Sequence, residues 1–239
     1  MNIWRKLWRN CIFFVGDIRR EHCLGGLAWG RFHHYIDYAE AQYGNTFAKP
    51  GYIGLHRNRG DASNSAITGF MKHAWIWINT NEIVESVSEG VVKRHPFHAL
   101  MSDYVVILKP IVSINARQTA VQRALLMEGA PYDDTFTFDL EKENEIFKDK
   151  ETALANMREY GLGITCSEGC ALAYVGYRHE LGLYRTKLGK RQVILPDAFL
   201  STHFEVVWAS KETTPENAKL LGLQEEGKIM LQLYWNQYK

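Results

Sequence analysis

Cys166 stands in the run Ile164-Thr165-Cys166-Ser167-Glu168, where a helix is expected to begin. Thr165 and Glu168 have the T-x-x-E spacing of a capping box, which makes Cys166 the first residue inside that helix. Backbone N–H groups there lack intrahelical acceptors, and the helix dipole adds partial positive charge at the same end. Both effects favour thiolate over thiol, so the position suits a nucleophile. A base is the next requirement. His73 opens a β-prone run, His73 to Ile78, and Glu85 lies in a second one, Ile83 to Val87. Asn79-Thr80-Asn81 between them is hairpin-turn chemistry. With the turn near Asn79 and Thr80, His73 and Glu85 are expected nearly opposite each other, within reach on one face. A carboxylate there accepts the proton of one imidazole nitrogen and leaves the other to serve the thiol as base. The bland alternative is a core cysteine on an apolar helix and a packed or surface histidine.

The elements that must position these residues follow from periodicity. Residues 2–16 and about 27–43 have helical spacing, and Tyr52 to His56 reads as a short strand after Pro50-Gly51. Arg57 to Ser65 is a polar loop. Gly90 to Lys93 and Tyr104 to Leu108 are further strands, and Ala116 to Glu128 is a helix stopped by Gly129. Gly129-Ala130-Pro131-Tyr132-Asp133 is a turn. The charged stretch Leu140 to Tyr160 reads as partly helical, and Asp139 to Glu159 could form a lid. The Cys166 helix is expected to run to about Leu181. Val206 to Trp208 and Ile229 to Trp235 are read as late strands. Strands clustered between helices imply an α+β fold with a mainly antiparallel sheet packed against helices.

Composition bounds the function. The chain has 239 residues, 46% hydrophobic and 23% charged, the balance of a globular protein with a full core. A net charge of +1 and the lack of a basic stripe argue against nucleic acid as a partner. Cys11, Cys23, Cys166 and Cys170 fit no zinc spacing, and reduced thiols are expected. His33-His34 and His95-x-x-His98 are the close histidine pairs, with no third ligand at a matching distance, so no metal and no cofactor is expected. Ile3, Trp4, Leu7, Trp8, Cys11, Ile12 and Val15 recur at helical spacing with Arg5, Lys6 and Arg9 between them. That helix either docks on the protein core or makes a peripheral membrane contact. No signal peptide and no membrane span is read, so the expectation is a cytoplasmic protein that could associate with membranes. Residues 1–45 are read as a helical extension and 46–239 as the catalytic domain, with no inference about oligomeric state.

The order of the motifs adds a resemblance. Pro50-Gly51-Tyr52-Ile53-Gly54-Leu55 comes first, then His73-Ala74-Trp75-Ile76-Trp77-Ile78, then Ile83-Val84-Glu85-Ser86. Gly129-Ala130-Pro131-Tyr132-Asp133 and Thr165-Cys166-Ser167-Glu168 follow. This series resembles the circularly permuted NlpC/P60 enzymes, the YiiX/YebB-like papain-fold cysteine hydrolases, over roughly residues 50–208. The resemblance implies a permuted papain-like fold with Cys166 as nucleophile, His73 as base and Glu85 as the polar third residue. It implies Tyr132 near the pocket and the Cys166 backbone N–H in an oxyanion hole. Trp75, Tyr132 and Ser167 are the substrate-contact candidates. Three positions depart from the family: Tyr52 replaces the usual Asp, Trp75 the frequent Gly, and Thr165 the usual aromatic residue.

The resulting expectation is a thiol peptidase, amidase or acyl hydrolase that cleaves an amide or ester bond through an acyl-enzyme. Its substrate would be a peptidoglycan-type peptide or a lipid-linked acyl group. The alternative is a non-catalytic ligand- or lipid-binding module that retains the fold. Glu168 is read as the capping partner of Thr165 rather than as a catalytic group.

Overall fold

The computed structural model describes residues 36–58, 69–133, 163–188 and 191–237. Six strands build one sheet: β1 (Ile53–Arg57), β2 (His73–Asn79), β3 (Glu82–Val87), β4 (Gly90–Arg94), β5 (Tyr104–Pro110) and β8 (Phe204–Ala209). Their order is β4-β3-β2-β1-β5-β8, and every neighbouring pair is antiparallel. β6 (Thr186–Leu188) and β7 (Arg191–Val193) form a separate hairpin. The helices are α1 (Tyr38–Asn45), α2 (Phe97–Leu100), α3 (Ile114–Leu126), α4 (Cys166–Ala173), α5 (Pro215–Leu220) and α6 (Glu225–Gln237). The class is α+β, with an antiparallel sheet packed against helices.

The strands read as nearly continuous apolar runs because both sheet faces are covered. Alternate residues point to opposite faces. Ile53, Leu55, Ala74, Ile76, Val106 and Leu108 join the core that contains Ala120 and Ala124 of α3 and Leu172 and Ala173 of α4. Trp75, Trp77, Val105 and Ile107 form a second core with Ile36, Ala41 and Trp208. The Trp75 indole lies against Gly54, its partner across the β1–β2 ladder. A Cβ at Gly54 would sit 2.0 Å from that ring.

Local chemistry explains the better-defined ends. Ser113 Oγ caps α3 by accepting from Ala116 N at 3.1 Å, and Gly129 reverses the chain beyond it with φ 85°. The hairpin turn is held by Asn79 Oδ1, which accepts from Asn81 N at 2.8 Å.

Two expected elements differ. The Cys166 helix ends at Ala173, not near Leu181. The Tyr174 hydroxyl donates to the Gly51 carbonyl, and Gly176 takes φ 94°, so the chain turns away there. The expected strand Ile229 to Trp235 is instead part of helix α6. Its buried residues Gly227, Met230, Leu231 and Tyr234 recur every three or four positions, while Ile229 and Leu233 are exposed. Helical period outweighed β-prone composition there.

The expected helix over residues 2–16 and the charged, partly helical stretch Leu140 to Tyr160 lie outside the described residues. Of the helix expected over 27–43, the described part is α1, displaced toward Asn45. It packs on the sheet, where Asn45 Nδ2 donates to Thr80 O at 2.8 Å and Trp77 Nε1 donates to Asn45 Oδ1 at 3.1 Å. Among the described residues no helix is long and apolar enough to cross a membrane.

Gly54→Ala tests the Trp75 contact. The added methyl forces the indole off the strand, and a urea titration is expected to show a loss of about 3 kcal/mol.

Candidate active site

The nucleophile candidate is set by three local ties. Thr165 Oγ1 accepts from Glu168 N at 3.4 Å and Glu168 Oε2 accepts from Thr165 N at 3.4 Å, the reciprocal bonds of a capping box. Cys166 is therefore the first helical residue, and Glu168 is spent on the cap. Just before it, Ile164 is fixed by two elements. Its carbonyl accepts from Ser86 Oγ at 2.7 Å and from Asp133 N at 3.3 Å, and its N–H donates to Pro131 O at 3.0 Å. Just after it, Ser167 Oγ donates to Ile194 O at 2.5 Å.

The base candidate reaches the carboxylate diagonally. The ladder pairs Trp75, not His73, with Glu85, because a bulge between Trp77 and Asn79 shifts the register and the turn falls at Thr80-Asn81. His73 lies two residues further along the same face, within reach of a long side chain. His73 Nε2 and Glu85 Oε2 are 2.7 Å apart. Nε2 is thereby committed to Glu85, which leaves Nδ1 as the nitrogen able to serve Cys166, whose interaction with the ring raises the His73 pKa. The other Glu85 oxygen faces Arg94, with Nη1 3.6 Å from Oε1.

Charge balance follows from these contacts. Burial opposes a charged His73, yet the Cys166 and Glu85 partners outweigh it and raise its pKa to about 10. Burial likewise works against the Cys166 thiolate. The charge and hydrogen bond of His73 prevail, helped by the N–H groups of Ala74 and Ser167, and the thiol pKa falls below its ordinary value. Glu85 follows the same pattern: burial raises its pKa, but His73 and then Arg94 hold it low. All three shifts run toward the charged forms, thiolate, imidazolium and carboxylate. One turn further along α4, Cys170 has no such partner, and burial pushes its pKa well up.

A narrow cavity lies beside Cys166. Ile76, Val84, Val91, Met127 and Ile164 supply its apolar lining, and Glu85 and Cys170 also border it. Cys166 itself is 5% exposed.

The substrate-contact candidates separate here. Trp75 is fully buried and stacks on His73, with ring centroids 6.2 Å apart, so it backs the imidazole instead of lining the cavity. Ser167 is buried and bonded to Ile194 O. Tyr132 pairs through its backbone with Ile164 and so helps seat the residue two before Cys166. Sequence reasoning missed Arg94 and His56. Arg94 pairs with Ile83 across the β3–β4 ladder, on Glu85's face, which the Gly90 turn could have signalled. His56 pairs with His73 on β1, with ring centroids 4.9 Å apart, and its Nδ1 bonds Ser102 Oγ. Only the β1–β2 register exposes that neighbour. Among the described residues no group of three potential ligands could hold a metal ion. His33 and His34 lie outside the described residues, as do Cys11 and Cys23.

Comparisons of the chain with protein-family models, curated proteins and solved structures give no match.

Glu85→Gln removes the charge that steadies His73. Glu85 has a depressed folded pKa, so its contribution is present above the ordinary value of 4.5 and is lost as pH falls through the lower folded one. The variant is expected to lose about 2 kcal/mol at pH 7 and to show a flatter acid limb of stability against pH, measured by urea unfolding from pH 7 to pH 3.

Proposed function

We propose that this protein is a cysteine hydrolase that cleaves an amide or ester bond through Cys166, His73 and Glu85. The observation that carries the reading is the His73–Glu85 hydrogen bond beside Cys166 at a capped helix start, with the Cys166 and His73 pKa shifts each driven by the other. The antiparallel sheet, the histidine-before-cysteine order and the helix-borne thiol agree with a circularly permuted papain-like, NlpC/P60-type fold.

The chemistry follows from the positions. The Cys166 thiolate attacks the substrate carbonyl carbon, and a C–S bond forms while the carbonyl π pair moves to oxygen. The Cys166 N–H, without an intrahelical acceptor, faces the site where that oxyanion develops. Imidazolium Nδ1–H gives its proton to the leaving nitrogen or oxygen as the C–N or C–O bond breaks. Neutral His73 then takes a proton from water, whose oxygen attacks the thioester carbonyl. Collapse releases the carboxylic acid and returns Cys166 as thiolate beside imidazolium. Throughout, Glu85 holds Nε2 and keeps the ring aimed.

A second reading, a non-catalytic binding module, draws support from the burial of Cys166. Hydrolysis assays with acyl esters and with peptidoglycan peptides, using Cys166→Ala as the blank, separate the two. The expected result is turnover of one substrate class that falls about 10⁴-fold in the variant. Iodoacetamide at mildly acidic pH is expected to label Cys166 faster than Cys170. Equal, slow labelling with no turnover would leave the binding module standing.

A further inference from the structure

The short stretch between β7 and β8 ties both halves of the site together. Ser167 Oγ, beside the nucleophile, donates to Ile194 O. A few residues on, Asp197 opens the 3₁₀ turn Pro196–Phe199 and accepts two backbone bonds. Phe70 N donates to its Oδ2 at 2.6 Å, and Met71 N donates to its Oδ1 at 2.6 Å. Phe70 and Met71 lead directly into His73. One strap therefore grips the helix that carries the thiol and the strand that carries the imidazole.

The gripped residues are held from the other side as well. Arg57 Nη1 donates to Phe70 O at 3.0 Å, and Lys72 N donates to His56 O at 2.9 Å. Gly69 has φ +97°, and a Cβ there would lie 2.4 Å from Asp197 Oδ2, so the backbone is fitted to the carboxylate. An ionised carboxylate that accepts adjacent N–H groups forms charge-assisted bonds, about twice as strong as neutral ones. It is also costly to bury. Burial raises the Asp197 pKa to about 6, against the pull of the two N–H donors and of Lys72 and Arg57, the charged groups that face it.

We propose that Asp197 is a positioning residue: its two bonds ahead of His73, with the Ser167–Ile194 bond, set the separation between β2 and the start of α4 that pairs imidazole with thiol. The inference rests on the cysteine–histidine reading of the site.

The test follows the pH dependence of Cys166 alkylation by iodoacetamide in the full chain, read by peptide mass spectrometry. Wild type is compared with Asp197→Asn, Gly69→Ala and His73→Ala, with cooperative melting as the folding check. Asp197→Asn and Gly69→Ala break the grip from opposite sides. Each is expected to raise the alkylation midpoint by about one pH unit, and His73→Ala by more. Midpoints unchanged in both grip variants while His73→Ala shifts would overturn the inference alone. A midpoint unchanged in His73→Ala would overturn the ion-pair reading and the inference with it. A second arm needs no substitution: the folded Asp197 pKa lies above its ordinary value of 3.8, so proton uptake favours the gripped form, and in the wild type the Phe70 and Met71 amides are expected to gain exchange protection as pH falls through about 6. The Trp77 amide, which donates to Tyr52 O, is expected to keep its protection. Protection of Phe70 and Met71 that does not change across that range would also overturn the inference, whether or not the variants fold.

Discussion

Burial opposes the ionised form of each of three neighbouring groups, Cys166, His73 and Glu85, and contact among them reverses that opposition. Cys166 and Glu85 both act on one imidazole, and each contact favours the charged form of its partner. Such a row tolerates little slack. A thiolate moved out of hydrogen-bond reach reverts to a buried thiol, and the imidazole then loses the partner that keeps it protonated. The surrounding structure fixes each member separately. A capping box fixes Cys166, a cross-strand diagonal fixes His73, and Arg94 fixes the far oxygen of Glu85.

Cys170 measures how much of this belongs to the helix and how much to the partner. It shares α4, the burial and the residue type with Cys166, yet its pKa moves the opposite way. Two differences separate the cysteines. Cys166 is at the helix start, where backbone N–H groups reach the sulfur, and it faces His73. Burial within α4 alone yields an inert thiol one turn away, so the helix-start N–H groups and the imidazole together account for the opposite shift at Cys166.

The parts of the fold legible in the sequence were those decided locally. Thr165 and Glu168 announced a cap, Asn79 to Asn81 a hairpin, Gly129 a helix stop, and a continuous run of β-prone apolar residues a strand at 104–108. Cys166, His73 and Glu85 could be singled out for the same reason, since each lies at the end of, or inside, a locally coded element. What was not legible depends on pairing between distant segments. The Trp77–Asn79 bulge moved the ladder so that Glu85 meets His73 diagonally. His56 became a neighbour of the base only through the β1–β2 register. Asp197 reads as an ordinary turn residue until the chain brings it to Phe70 and Met71. Ile229 to Trp235 misled because residue types suited to strands occupied both the buried and the exposed sides of a helix.

The pairing of a local hairpin with a distant helix sets when reactivity can appear. β2 and β3 are joined by a two-residue turn, so His73 and Glu85 can meet early and cheaply. Cys166 lies far along the chain, and its contact with the hairpin closes a much longer loop when α4 docks on the sheet. Before docking, its sulfur keeps the ordinary pKa of an exposed cysteine and is mostly thiol at neutral pH. A nascent or partly unfolded chain thus carries a cysteine with little appetite for oxidants or stray electrophiles. The shift at Cys166 therefore depends on a contact between segments far apart in the chain and is absent until that contact forms.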